Sequence, residues 1–557
     1  AGGSAAPSFR LEGSHPAGLG IHLRTGVVTW QPGTHQVGNH TVAVVAESGA
    51  APARLTLALA VEEGSNLPVG IYVWMAGGSD DADGTASAPL ATIARAAAIA
   101  RPGDTVYVRG GSYSAKEVVR VVAPRDNPVL ITRLPGERVR LVAQRKRHIF
   151  EVPDGSEGIT FRGLELDGDA AGNDHWTVLR RSWWRVNDEV LGGWNGFLIN
   201  GQHIVVEHCS IHDFNSKGVD IVKARYVTLR YNLIYNIGFT SLSGGGGIHR
   251  KWDATFRTPD DPRYFRWDVF GNAVWSVEQR LYSYIPKQKW ALLALDEGKP
   301  MAFDSTRDKE MKARVAHNLV LYGGVVHIRL FPNPNLQVHN NAVYGDKGRI
   351  DPVPNGITCK GEGSSNEGKI ADVFGGRIEN LTLFSNLVET GPGSLVFGMH
   401  EQFEEGDNPA RVNHNYYSGG GRTQPEYQPG LIRLPTAKAA SVFRDPGTQD
   451  FRPSEPLPQG VGVDQAVLEH LSALAADFGA VMSPSGFRHD HCENLRVILE
   501  STPREHLGSP TLREQSRYKR GHKAYAFKVN SNFYRQKCKC SEVELILPDH
   551  MAEACLH

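Results

Sequence analysis

Residues 227–238, VTLRYNLIYNIG, repeat the character of residues 204–214, IVVEHCSIHDF, at an offset of 23 positions. Ile204 falls on Val227, Val206 on Leu229, Ile211 on Ile234 and Asp213 on Asn236. The same unit, an Asn followed by apolar or aromatic residues and a turn, returns at Asn232, Asn272, Asn318, Asn341, Asn386 and Asn415. Asn318 and Asn341 are 23 residues apart, and Asn341 and Asn386 are 45 apart, close to twice that. The gaps of 40 and 46 around Asn272 read as coils carrying insertions. A short strand cannot bury its face alone, so repeated strands must stack on their neighbours, about 4.8 Å apart. A period near 23 predicts a parallel β-helix with three short strands per coil, and the Leu spacing of leucine-rich repeats is lacking. The recurring Asn is expected at a corner, bonding the Asn of the adjacent coil and adopting the left-handed conformation a sharp turn needs.

Composition agrees with an all-β chain. Sixty Gly and 32 Pro among 557 residues supply turns. The mean hydropathy is −0.33, and no apolar run of about 20 residues predicts a membrane span. Lys plus Arg and Asp plus Glu both total 60, so the basic surplus of a nucleic-acid binder is missing. Six cysteines, Cys209 and Cys359 in the body and Cys492, Cys538, Cys540 and Cys555 near the end, are too sparse for a disulfide scaffold.

The array opens on YVWMAGGSDDADGTASAPLATIARAAAIARPGDTVYVRGGSY (72–113), read as strand, Asp/Gly turn, amphipathic helix, turn and strand. A short helix there would cap the exposed end of the solenoid. GGSDDADGT, PLATIARA and PGDTVYVRGGSY resemble the first coil of right-handed parallel β-helix polysaccharide lyases of the pectate, alginate and chondroitin lyase superfamily. VFRDPGTQDFRPSEPLPQGVG (442–462) resembles their closing segment. The resemblance implies a catalytic solenoid over 70–465. Residues 1–65, with GLGIHLRTGVVTW, resemble the small cadherin-like or immunoglobulin-like β-sandwiches beside secreted bacterial carbohydrate enzymes, serving as spacer or sugar-binding module. Residues 466–557 form a C-terminal extension of unknown role. A secreted, extracellular or periplasmic monomer acting on an anionic polysaccharide is the expected setting.

Insertions in a solenoid gather along its groove. DHWTVLRRSWWRVNDEVLGGWNG (174–196) brings Trp183, Trp184, Trp194 and Arg181, whose aromatic faces and guanidinium suit sugars and carboxylates, or simply pin a long loop. Further insertions are expected at 251–267 and 278–314. Between them, SKGVDIVKA and GGGGIHRKWD place Asp220 and His249 each two residues after a Gly, so in register they stack. Alternation aims Asp220, His249 and Lys251 at one face.

Enzymes of the resembled family cleave uronic-acid polymers by β-elimination, in which the sugar carboxylate is neutralised and a base removes the C5 proton. The resemblance therefore implies a lyase, with Lys223 or His249 as base and Arg250 and Arg329 neutralising the carboxylate. Asp220 would orient the base or, with Asp253 and Asp304, bind calcium. Lys217, Lys251, His327 and Arg329 complete the expected substrate contacts. The dense Asp/Glu cluster of the calcium-dependent lyases is not reproduced. ELDGDAAGND, with Asp167, Asp169 and Asp174, reads either as a calcium loop or as an ordinary Asp/Gly turn. The competing readings are a glycoside hydrolase with two carboxyl groups, Asp220 with Asp253 or Asp304, and a non-catalytic glycan-binding or adhesive surface protein.

Overall fold

The structure is a computed structural model. It describes most of residues 8–61, then 67–170 apart from Lys146, 193–250 apart from 240 and 242–244, 260–278, 299–303 and 312–345 with two short gaps. Further on it describes 355–359, 381–390, 397–399, 411–419, 430–434, 443–446, 450–454, 457–458 and 460–484. The chain divides into two compact units, Ala1–Val69 and Gly70–His557. The first holds an antiparallel sheet in which Gly38–Glu47 pairs with both Ser8–Glu12 and Ala53–Val61.

The second unit is a parallel β-helix. Its chain passes in turn through three parallel sheets, of 11, 11 and nine described strands. Sheet I runs from Ile71–Val73 to Arg411–Asn413, sheet II from Gly111–Ala115 to Leu431–Arg433, and sheet III from Glu117–Val118 to Phe397–Met399. The 23-residue match is the stacking register itself, since Ile204 pairs with Val227, Val206 with Leu229 and Ile211 with Ile234. Alternation sends Ile159, Ile204, Val227 and their counterparts inward, where all are buried in one continuous core. At the first coil, Ile93, Ala96 and Ala97 of the helix Ile93–Ile99 join this core. Asp80 accepts the backbone N–H groups of Ala91 and Thr92 and the hydroxyl of Thr92, whose own oxygen caps Arg95 N. The Asp/Gly turn and the cap are thus one unit.

All six predicted asparagines lie buried in one column at the corner between sheets I and II. The Nδ2 of each of the first five donates to the Oδ1 of the next Asn, over 3.0 Å from Asn232 to Asn272 and 2.9 Å from Asn272 to Asn318. The steps from Asn318 to Asn341, Asn341 to Asn386 and Asn386 to Asn415 measure 3.0, 2.9 and 2.8 Å. The second Nδ2 hydrogen goes to a carbonyl of the preceding coil, such as Val269 O for Asn318. One expectation is corrected. The left-handed residue is not the ladder Asn but the one before it, among them Tyr231 (φ 55°), His317 (φ 55°) and Ser385 (φ 55°). That residue makes the bend, which frees the Asn to satisfy the backbone around it.

Two further corrections concern element boundaries. The segment 278–314, expected as one insertion, contains the sheet III strand Lys299–Phe303. The extension expected to start at 466 begins as part of the body: helix Gln465–Phe478 buries Val467, Leu471 and Phe478 in a second apolar cluster with Leu233, Trp275 and Leu321 of sheet II. Arg138 donates to Phe478 O at 2.9 Å, and Arg133 meets Asp477 at 2.6 Å. The outer face of sheet II around Leu233, Trp275 and Leu321 is therefore covered.

Asn318→Ala should strand the N–H and Nδ2 of Asn272, both of which donate to Asn318 Oδ1. At about 1–3 kcal/mol per buried unsatisfied group, chemical denaturation should show a loss of about 3 kcal/mol. Asn127→Ala, in an exposed turn, should change stability by less than about 0.5 kcal/mol.

Candidate active site

Strands Lys217–Ile221 and Gly246–Arg250 pair in sheet III with Val219 opposite Ile248, Asp220 opposite His249 and Ile221 opposite Arg250. Val219, Ile221 and Ile248 fill the core, so alternation turns Asp220 and His249 outward. The outward column continues from His249 to Ala302 and then Arg329. Ala302, itself buried, separates His249 from Arg329 in that column.

Asp220 is 2% exposed and His249 18%. His249 Nδ1 lies 3.2 Å from Asp220 Oδ1, Lys217 Nζ lies 3.5 Å from Oδ2, and Asn195 Nδ2 donates to Oδ2 at 3.4 Å. A carboxylate removed from water is costly unless its oxygens are answered, and here two cationic-type partners and an amide answer it. An Asp held this way fixes the orientation and tautomer of the imidazole it touches. Asn195 was not singled out in the sequence; its place opposite Lys217 in the ladder was the only signal, and it needs the register to be read.

The other expected residues divide. Trp194 is 44% exposed and its carbonyl accepts the N–H groups of Ser216 and Lys217, so it stands where the Asp220 strand begins. Lys223 is exposed just past that strand, its N–H donating to Asn200 Oδ1 at 3.4 Å. Arg250 is a correction. It pairs with Ile221 and Phe303 on the inward register and is 0% exposed, so it cannot meet a polymer in the groove. His327 is also buried, its Nε2 accepting the N–H of Gly323 at 3.2 Å, and it does not contribute to the open face. Lys251, Asp253, Asp304, Arg181, Trp183 and Trp184 lie outside the described residues.

The expected calcium ligands are Asp220, Asp253 and Asp304. Of the three only Asp220 is described, with the Lys217 ammonium against its Oδ2; Asp253 and Asp304 lie outside the described residues. Another group, Asp167, His212 and Asp213, brings ligand atoms within 4.8 Å of one another on sheet II. Its hydrogen bonds show a self-compensated ion network. His212 bonds Asp213 through Nδ1 at 2.6 Å and Glu165 through Nε2 at 3.3 Å, while Arg138 donates to Glu165 at 2.7 Å and Arg140 pairs with Asp167. Burial works against the His212 charge, but the bonds to Asp213 and Glu165 outweigh it and push the pKa up to about 9. Burial likewise opposes ionised Glu165, yet His212 and Arg138 bring it down to about 2. In this arrangement both ring nitrogens of His212 are committed to carboxylates. Asp169 closes the ELDGDAAGND turn by donating its N–H to Asp167 at 2.7 Å with φ 56°, which is the ordinary-turn geometry; Asp174 lies outside the described residues.

Comparison with known proteins agrees with this architecture. Residues 71–240 match the family described as Pel9A-like, right handed beta helix region. The comparison with curated proteins found no match. Among solved structures, the lacto-N-biosidase from Eubacterium ramulus is similar at 13% identity and TM-score 0.38, covering 65% of this chain and 66% of its own. The chain thus spans just under two thirds of that enzyme. Pectate lyase Pel9A is similar at 14% identity and TM-score 0.33, with 62% and 78% covered. The alginate lyase from Paenibacillus sp. str. FPU-7 is similar at 13% identity and TM-score 0.33, with 62% and 93% covered. Among the described residues, no helix is long and apolar enough to cross a membrane.

The His212 network predicts a pH dependence. With a folded pKa of about 9 above the ordinary 6.5, its stabilisation is full below about pH 6.5 and is lost as pH rises through about 9. Denaturation midpoints at about pH 6, 7.5 and 9.5 should therefore fall with pH more steeply in the parent than in His212→Gln.

Proposed function

We propose that the protein is a polysaccharide-degrading enzyme, and that it acts as a lyase on a uronic-acid-containing polymer lying along the outward face of sheet III. The supporting observation is the Asp220–His249 hydrogen bond at 3.2 Å, with Arg329 farther along the same column. In this reading Asp220 fixes His249 through Nδ1, and Nε2 is the nitrogen that takes the C5 proton. The electrons of the C5–H bond form the C4=C5 double bond as the C4–O4 bond breaks. Arg329 neutralises the sugar carboxylate, which makes the C5 proton acidic. Lys223, at the rim, is suited to return a proton to the departing O4 oxygen. Asp220 is a positioning residue, and Trp194 offers a ring face to a neighbouring sugar. No step uses a metal. Action on such a polymer implies an extracellular or periplasmic setting.

One observation favours a second reading. Glu151 stands two coils before Asp220 in the same column, with Leu198 between them. Two spacings of about 4.8 Å bring two carboxyl groups near the separation of an inverting glycoside hydrolase, about 6.5–9.5 Å. The lyase reading is preferred because Asp220 is 2% exposed and engaged by His249 and Lys217.

Incubation with pectate, alginate, glycosaminoglycan and neutral polysaccharides separates these mechanisms. A lyase raises both the ultraviolet absorbance of the unsaturated uronate and the number of reducing ends, while a hydrolase raises reducing ends alone. Binding with neither signal removes the enzymatic reading. On the polymer that is cleaved, His249→Ala should lower kcat by about 10²–10⁴-fold, and Asp220→Asn should lower kcat and shift its pH profile with KM little changed. Full activity in His249→Ala would remove the base assignment.

A further inference from the structure

Sheet I carries a second, separate groove. Its outward column Thr160, Val205 and Thr228 consists of short side chains stacked coil on coil. The parallel column two residues on, Arg162, Glu207 and Arg230, consists of long ones. On the opposite flank His203 and Tyr226 stack at 4.5 Å and 14°, with Tyr264 edge-on to both. A column of small residues between two columns of large ones makes a trough. Its volume is about 690 Å³, within the range of about 300–1,000 Å³ usual for small-molecule sites.

The trough is charged in one direction. Five arginines line it against the carboxylates of Asp126, Glu207 and Asp268. Arg314 is answered by Asp268 and Arg263 by Asp261. Arg162 and Arg230 share the single buried carboxylate of Glu207. Arg125 lies 3.4 Å over the Tyr264 ring, with no carboxylate within ion-pair distance among the described residues. His203 adds no charge at neutral pH, because burial first, and then Arg125 and Arg225, push its pKa down to about 4.

From the trough, its aromatic wall and this positive surplus, we propose that the sheet I groove binds a sugar unit bearing an anionic group, a carboxylate or a sulfate, at a site separate from the sheet III face. Aromatic faces pack against the apolar side of a pyranose ring. Arginine meets carboxylate or sulfate oxygens in a planar fork. The choice of a sugar over other planar anions rests on the polysaccharide reading of this protein. A polymer held on sheet I and processed on sheet III would gain the effective concentration of two-site attachment.

Radical footprinting of the full chain, read by mass spectrometry at Tyr226 and Tyr264, reports on this groove alone. The probes are galacturonate, its uncharged methyl ester, glucose 6-sulfate and inorganic sulfate. Galacturonate or glucose 6-sulfate should protect both tyrosines, and whichever does so at lower concentration names the anionic group. The ester should need about tenfold more, the worth of a charge-assisted hydrogen bond. Arg125→Gln should weaken the protection by a similar factor, while Asp220→Asn leaves it unchanged. The proposal is overturned if no sugar protects the tyrosines, if ester and acid act equally, or if sulfate ion alone protects at the same concentration as the sugars. Protection without cleavage of any polymer would leave this groove standing and remove the enzymatic reading. Cleavage without protection would do the reverse.

Discussion

The buried asparagine column is the constraint on which the rest of the solenoid depends. Sequence gaps of 40, 46, 23, 45 and 29 residues separate its members, yet the amide contacts stay between 2.8 and 3.0 Å. From Asn272 to Asn415 each Oδ1 accepts both the N–H and the Nδ2 of the preceding Asn, so shifting one coil by a residue would orphan several buried groups together. Insertions of very different length can therefore leave a coil and return without disturbing the register. At one end Cys209 takes the Asn position, its N–H donating to Asn232 Oδ1 at 3.0 Å. Burial raises its thiol to about 12, so it acts there as a small apolar side chain.

Register converts sequence neighbours into opposites. His249 and Arg250 are adjacent in the chain, but one faces outward beside Asp220 and the other is sealed in the core opposite Ile221. Conversely, Asn195, Asp220 and His249 meet although 25 and 29 residues separate them. The C-terminal helix adds a second restriction. With Val467, Leu471 and Phe478 it covers sheet II around Leu233, Trp275 and Leu321, while the charged columns of sheets I and III stay on outward faces. The Asp220–His249 pair lies on sheet III and the arginine-lined trough on sheet I.

Much of the architecture was legible before any coordinates. Period, corner asparagines, helical cap and the vertical match of Asp220 with His249 all follow from spacing, because a solenoid maps sequence offset directly onto position. The helix Gln465–Phe478 was not anticipated as part of the body. Its apolar stripe identifies a helix but not the surface that receives it. The sheet I groove was missed for a related reason. Thr160, Val205 and Thr228 are unremarkable singly, and become a trough only when stacked between larger neighbours. Trp194 and Lys223 could be placed near the site by their distance from a strand, whereas the fate of Arg250 required knowing the inward side.

By itself, then, the amino-acid order determined a stacked parallel β architecture, since only stacking can bury a strand of five residues repeated every 23. It also determined which outward positions share a column. The tertiary structure alone decided which charged groups are exposed, which are matched by a partner, and which face is roofed by the C-terminal helix. Those outcomes depend on contacts between residues hundreds of positions apart, such as Arg133 with Asp477, and no local period encodes them.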